Sequence, residues 1–250
     1  MFKSNLIVIV PAFNEEERLS SGNVFNEILA LPDISFCFVN DGSTDQTMTI
    51  LSQFSKANGD LLVDLPENVG KAEAIRLGFQ HVMSHSPPKY IGFLDADSAF
   101  SGAAFESFVA GALERFLSDG ELAAVISSRV QLAGRNIERS TFRHYISRIL
   151  ITLIGFAVPN LPYDSQSGLK IFRNSSELRN AMSKPFKTRW FFDIELLIRT
   201  NWLASGMVWE EPVLEWRDVA GSHLSLLKAP QLVVEIFRVI RMGRNSRKIS

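Results

Sequence analysis

The sequence predicts an α/β protein organised around a mainly parallel sheet with helices on both sides, and two observations carry that expectation. Five short apolar runs, near residues 6–10, 35–39, 61–65, 90–94 and 122–127, alternate with stretches of helical periodicity, the pattern of repeated strand–helix–strand units. A polar cluster then follows directly on three of these runs: Pro11-Ala12-Phe13-Asn14-Glu15, Asn40-Asp41-Gly42-Ser43-Thr44-Asp45 and Asp95-Ala96-Asp97. Open α/β sheets bind ligands at the carboxyl ends of their strands, so the three clusters are expected to meet at one site. A chain of 250 residues with 46% apolar and 21% charged content can bury the core that such a sheet requires, and a single domain is expected over residues 1–250.

Leu6 to Val10 reads as the first strand, too short for a secretory leader and running straight into a polar cluster; a cytoplasmic protein is expected. Cys37 lies within the second apolar run, where it should pack as a small hydrophobe without a disulfide. Ser43, followed three residues later by Gln46, reads as a capping box opening a helix towards Asn58, with Asp41 in the preceding turn. Gly70 precedes a helix over 71–83, ended by Ser86-Pro87-Pro88. The run Tyr90–Leu94 ends in Asp95 and Asp97, whose i, i+2 spacing would put both carboxylates on one strand face. Such a pair suits one hard divalent cation, Mg or Mn, although aspartates also gather at strand ends for local turn chemistry.

From about residue 129 the alternation fades. A basic helical segment leads into the apolar stretch Ile149–Val158, followed by a strand at Leu169–Phe172, a helix around Phe191–Trp202, a strand near Met207–Trp216 and an amphipathic helix over Gln231–Met242. The apolar stretch is about half of what a bilayer-spanning helix requires, so it either lies at a membrane surface or packs on the sheet.

Net charge is −1, yet residues 1–125 hold 7 Lys/Arg against 17 Asp/Glu, whereas residues 126–250 hold 19 against 10. Five arginines between Arg129 and Arg148 face the single acid Glu138, which calls for an anionic partner, and phosphate is the natural one. No recognised motif or aromatic-interleaved basic stripe supports nucleic acid.

The three strand-end clusters resemble those of the family-2 inverting glycosyltransferases. Asn68-Val69-Gly70-Lys71, Arg76-Leu77-Gly78, Ser127-Ser128-Arg129, Asp164-Ser165-Gln166-Ser167-Gly168, Arg189-Trp190 with Asp193 and Glu195, and Gly221-Ser222-His223 narrow the resemblance to the polyprenyl-phosphate (dolichyl-phosphate) glucosyl- and mannosyltransferase branch, over about residues 5–225. The resemblance implies a GT-A-type, Rossmann-like fold. It divides the chain into a nucleotide-sugar half over about 5–128, an acceptor half over about 129–225, and a basic amphipathic helix and tail over 226–250.

It implies site residues as well. Pro11, Ala12 and Phe13 would flank the nucleoside, Glu15 would accept from ribose hydroxyls, and Asp41 would accept a ring N–H of the base or else merely cap its turn. Lys71 and Asp95 complete the nucleotide-sugar set. Asp95 and Asp97, joined by His223 at a position usually lysine, would hold the metal, and Asp97, Asp164 and Arg129 form the catalytic group. Arg129, Arg139 and Arg143 would bind the acceptor phosphate, matching its oxygens with bidentate guanidinium forks, unless their roles are structural ion pairs. The expected reaction is metal-dependent transfer of a hexose from a UDP- or GDP-sugar, glucose from UDP-glucose first, to a polyprenyl phosphate at the cytoplasmic membrane face. Three rival functions share the sequence. A soluble or polysaccharide hydroxyl acceptor would need Asp164 as a working base, a pyrophosphorylase would need a Gly-rich turn after the first strand, and a non-catalytic nucleotide-sugar-binding protein would need no aspartate pair.

Overall fold

The structure, a computed structural model, describes residues 5–21, 24–85, 87–218 and 229–246. The strands are β1 (Leu6–Ala12), β2 (Ile34–Asp41), β3 (Leu61–Leu65), β4 (Tyr90–Leu94), β5 (Ala124–Ser128), β6 (Asn136–Glu138), β7 (Leu169–Arg173), β8 (Val208–Pro212) and β9 (Glu215–Arg217). Between them run α1 (Glu16–Ser21), α2 (Val24–Leu29), α3 (Thr47–Asn58), α4 (Lys71–His85), α5 (Gly102–Ser118), α6 (Thr141–Gly155), α7 (Ser176–Met182) and α8 (Phe192–Thr200), with α9 (Ala229–Ser246) last.

Seven strands form the central sheet in the order β3-β2-β1-β4-β7-β5-β8. Its neighbours are parallel except that β7 runs antiparallel to both β4 and β5. This reversal decides where the site lies. The segment entering β7 stands at the same sheet edge as the segments leaving β1, β2, β4 and β5, with Leu94 opposite Leu169.

Period-two alternation divides the core into two layers. Ile7, Ile9, Cys37, Val39 and Phe93 face α4, α7 and α8, whereas Leu6, Val8, Val10, Phe36 and Phe38 face α3 and α5. Cys37 is a fully buried free thiol, as its apolar run implied, and burial pushes its pKa up to about 12. Gly78 is required by close approach: a Cβ there would come within 2.7 Å of Val39 Cγ2 and 2.9 Å of Ile9 Cγ2, so its absence lets α4 settle onto the sheet.

Two local expectations need correction. The N-cap of α3 is Gln46, whose own side chain makes no capping bond; Ser43 Oγ instead accepts the Asn14 N–H at 3.1 Å, and Asp45 Oδ1 takes the Thr47 N–H at 2.9 Å. Ser43 is drawn to the neighbouring loop, and the aspartate two residues nearer the helix takes over. The expected strand over Met207–Trp216 is two strands, because Pro212 cannot donate to a ladder and the chain leaves the central sheet after it. It then pairs as β9 with β6, a three-residue strand too short for a sequence pattern.

Candidate active site

The β1 and β2 exits are latched together. Asn14, at φ 53°, accepts the Thr44 N–H on its Oδ1 at 2.9 Å, while Glu15 N–H donates to Thr47 Oγ1 at 2.8 Å. Pro11 and Ala12 are buried within β1, and Phe13 stands 43% exposed, an aromatic face open beside the strand end. Glu15 takes Arg18 Nη1 at 2.6 Å; burial raises its carboxyl pKa, Arg18 opposes this, and the fields of Asp97 and Asp95 raise it further.

Asp41, 2% exposed, accepts Val69 N–H at 2.7 Å, Gly70 N–H at 2.9 Å and Asn68 Nδ2 at 3.1 Å. A carboxylate offers about four lone-pair sites, so three are spent on the loop entering α4 and about one remains. Burial raises the Asp41 pKa against these hydrogen bonds and the charge of Arg189. Gly70, at φ 91°, leaves room for that guanidinium, since a Cβ would lie 2.6 Å from Arg189 Nη2.

Asp95 and Asp97 do not share a strand face as alternation suggested. β4 ends at Leu94; Asp95 N–H donates to Gly168 O at 2.9 Å, the chain turns through Ser98 at φ 57°, and Asp97 Oδ1 accepts Ala99 N–H at 3.1 Å. The turn, not the pleat, gathers the two carboxylates. Burial, and next to it the charge of Asp95, raises the pKa of Asp97. Gly168 makes the space, because a Cβ there would fall 2.6 Å from Asp95 Cγ. Buried Asp95 Oδ1 receives no well-angled hydrogen bond, and its ionic partner is Lys71 Nζ at 2.5 Å. Two crowded oxygen donors fit a hard cation completed by substrate oxygens and water. Among the described residues no cluster of three His, Cys, Asp or Glu forms a self-sufficient cage, and His223 lies outside those residues.

Near enough for the charges of Asp95 and Asp97 to act on Arg129 lies a cleft lined by Arg129, Arg139, Ser147, Arg148, Ile151, Tyr163, Asp164 and Gln166. Arg129 grips Asp164 with Nε at 2.7 Å, Nη2 at 2.6 Å and its backbone N–H at 2.9 Å, and lies 5.0 Å from the centre of the Trp216 ring. Burial would raise the Asp164 pKa, but the Arg129 charge and its hydrogen bonds outweigh burial and hold it at about 2. The Arg148 guanidinium covers the Tyr163 ring at 3.7 Å. Burial, and next to it the charge of Arg129, lowers the pKa of Arg139. Like charges crowded in a cleft favour an anionic occupant. Of the three acceptor-phosphate candidates, Arg129 and Arg139 meet here, while the side chain of Arg143 lies outside the described residues.

In the sequence Arg148 stands only as the last of five arginines that call for an anion, and the buried pair Lys170 and Asp193, whose Nζ and Oδ1 are 2.7 Å apart, carries no role there. A lysine inside the apolar strand Leu169–Phe172 was the available signal for the pair. For Arg148 the signal was its helical phase beside Ser147 and Ile151.

With this geometry in hand, the sequence profile of glycosyl transferase family 2 matches residues 7–176. The chain belongs to glycosyl transferase family 2. It is a glycosyltransferase of the inverting kind. Among similar proteins, a dolichyl-phosphate beta-glucosyltransferase of Drosophila melanogaster is 31% identical over 88% of this chain and 69% of its own. Another from Trichomonas vaginalis is 29% identical over 94% of this chain and 72% of its own. Glucosyl-3-phosphoglycerate synthase from Mycobacterium tuberculosis, solved with Mn2+, UDP and glucosyl-3-phosphoglycerate, superposes with a TM-score of 0.60 at 21% identity, covering 98% of this chain and 80% of that one. Its likeness carries the GT-A fold.

Proposed function

We propose that the protein transfers glucose from UDP-glucose to a polyprenyl phosphate at a membrane surface. The observation that carries this reading is the cleft in which Arg129, Arg139 and Arg148 converge, near enough to the aspartate pair for the charges of Asp95 and Asp97 to act on Arg129. The beta-glucosyl, dolichyl-phosphate activity in the names of the similar proteins supports both the sugar and the acceptor.

Pro11, Ala12 and Phe13 flank the nucleoside, Glu15 takes ribose hydroxyls, and the remaining acceptor site of Asp41 takes the base N–H. Asp95 and Asp97, with His223, hold Mg or Mn, and the Mn2+ and UDP of the structural neighbour support that assignment. A divalent ion supplies charge compensation for the departing diphosphate. Arg129, Arg139 and Arg148 align the acceptor phosphate on the side opposite the leaving group, so attack inverts the anomeric centre. A phosphate monoester has a second pKa of about 6 and is largely ionised at neutral pH, so its oxygen attacks without a base. Asp164, ionised and committed to Arg129, orients that guanidinium. A hydroxyl acceptor would instead demand a base, and a carboxyl held at about 2 takes protons poorly at neutral pH.

Approach to lipid follows from two helices. On α6 the exposed residues Tyr145, Ile149 and Leu153 recur at i, i+4 and i+8 and are continued by exposed Phe156 at the C-cap, one stripe of the helix whose adjoining face lines the cleft. On α9, exposed Val233, Val234 and Phe237 accompany Arg238, Arg241 and Arg244. No described helix is long and apolar enough to cross a membrane, and a peripheral position on an anionic leaflet suits this pattern.

The test is to incubate the protein with UDP-glucose or GDP-mannose, Mn2+ or Mg2+, and either a short polyprenyl phosphate or a soluble sugar, then identify products by mass. Glucosyl polyprenyl phosphate from UDP-glucose is expected. Transfer confined to the soluble sugar would overturn the acceptor assignment.

A further inference from the structure

Lys71 stands where a cation is expected. Its Nζ lies 2.5 Å from Asp95 Oδ1, and its ammonium is 5.8 Å from the centres of both the Phe93 and Phe192 rings. That oxygen has no other polar partner among the described residues. Beyond it, Asp193 adds an attractive field at Lys71 while its own Oδ1 accepts Lys170 Nζ at 2.7 Å. The ammonium is thus shared between an aspartate it contacts and a second carboxylate already satisfied.

We propose that Lys71 is an internal competitor of the divalent ion: its ammonium occupies Asp95 in the nucleotide-free protein, and metal binding displaces it onto the donor diphosphate. The inference rests on the metal-dependent reading above. Two cations cannot share one buried carboxylate oxygen at contact distance without strong repulsion, so a metal reaching Asp95 must move the ammonium. Lys71 opens α4 at the strand-end edge, and its flexible four-carbon stem lets the ammonium swing aside. Asp193 offers little as a resting place because Lys170 already holds it. The diphosphate brings the negative charge that makes displacement favourable. Metal and nucleotide therefore bind with positive coupling, each raising the affinity for the other by the same factor. Metal alone binds weakly. The protein is spared from loading a cation that has no phosphate to act on.

The test measures Mn2+ affinity by electron paramagnetic resonance or calorimetry, with and without UDP, for wild type, Lys71→Met and Arg18→Gln. Met keeps the apolar stem and removes the ammonium. Arg18→Gln removes a positive field felt by Asp97. Wild type should bind Mn2+ more tightly with UDP, by roughly 5- to 150-fold, the usual span of such a coupling. Lys71→Met should bind Mn2+ more tightly than wild type without UDP, and UDP should add much less. Arg18→Gln should change little. Unchanged or weaker nucleotide-free binding by Lys71→Met overturns the proposal, as does equal tightening by Arg18→Gln, which would reduce the effect to a general field. Wild type failing to bind Mn2+ even with UDP would remove the metal-dependent reading itself, a different result from tight binding that is indifferent to Lys71.

Discussion

At the scale of single residues, the carboxylates divide by what holds them. Asp97 is crowded and raised, and its replacement by Ala should abolish transfer while circular dichroism and unfolding temperature stay near wild type. Near-normal metal-dependent turnover in that variant would remove Asp97 from the site. Asp164 is the opposite case, gripped and depressed. Its folded pKa of about 2 lies below the ordinary 3.8, so its contribution to stability is complete above 3.8 and disappears as pH falls through about 2. That contribution is on the order of 2 kcal/mol. Acidification from about pH 5 to pH 2 should cost wild type that much more unfolding free energy than Asp164→Asn. Equal losses in a urea titration would show that the grip of Arg129 is weaker than its geometry suggests. The same grip makes Arg129→Ala an ambiguous probe, since it strands a buried carboxylate. Arg139→Ala leaves the pair in place and is cleaner. One charge-assisted contact to phosphate is worth about 1.5–3 kcal/mol, so lipid transfer should fall roughly ten- to a hundredfold with donor hydrolysis largely retained. Equal falls in both assays would move Arg139 to the donor side.

At the scale of elements, most of what apolar patterning controls was legible. The runs preceding Pro11, Asn40 and Asp95 became β1, β2 and β4, and Gly78 marked the face on which α4 meets the sheet. Features that depend on meetings distant in sequence were not legible. The turn that gathers Asp95 and Asp97 depends on Gly168, and the phase of Arg148 acquires meaning only once α6 lies against Tyr163 and Asp164. Glu195 belongs with these. Fully buried on α8, it accepts Lys187 N–H, Thr188 N–H and Thr188 Oγ1 and pairs with Arg199 Nη2 at 2.6 Å, so this acid of a family-like motif is structural. Glu195→Ala should lower unfolding free energy by about 3–5 kcal/mol, the usual result of leaving one partner of a buried pair alone. A loss below about 1 kcal/mol in a denaturant titration would mean the loop finds other partners. The exposed stripes of α6 and α9 make a separate prediction: Ile149→Ser with Phe237→Ser should weaken co-sedimentation with anionic vesicles and spare transfer to detergent-dispersed acceptor. Unchanged sedimentation would detach these helices from lipid.

At the scale of the whole molecule, the two halves of the sequence differ in charge, yet they do not form separate bodies. β7, from the basic half, is threaded between β4 of the acidic half and β5 at the boundary between the halves. Its reversed direction carries Asp164 and Gly168 to the edge where Asp95 and Asp97 stand. The consequence is felt by anyone wishing to recombine relatives. Exchanging residues 129–225 between two such proteins would replace an inner strand and a helix packed on it, along with the loops proposed to choose the acceptor. A crossover that respects the sheet would keep Leu169–Arg173 and Phe192–Thr200 with the recipient and graft only the intervening loops and α6. Acceptor preference is thus portable in pieces, and a cut at the functional midpoint of the gene would sever a hydrogen-bonded ladder.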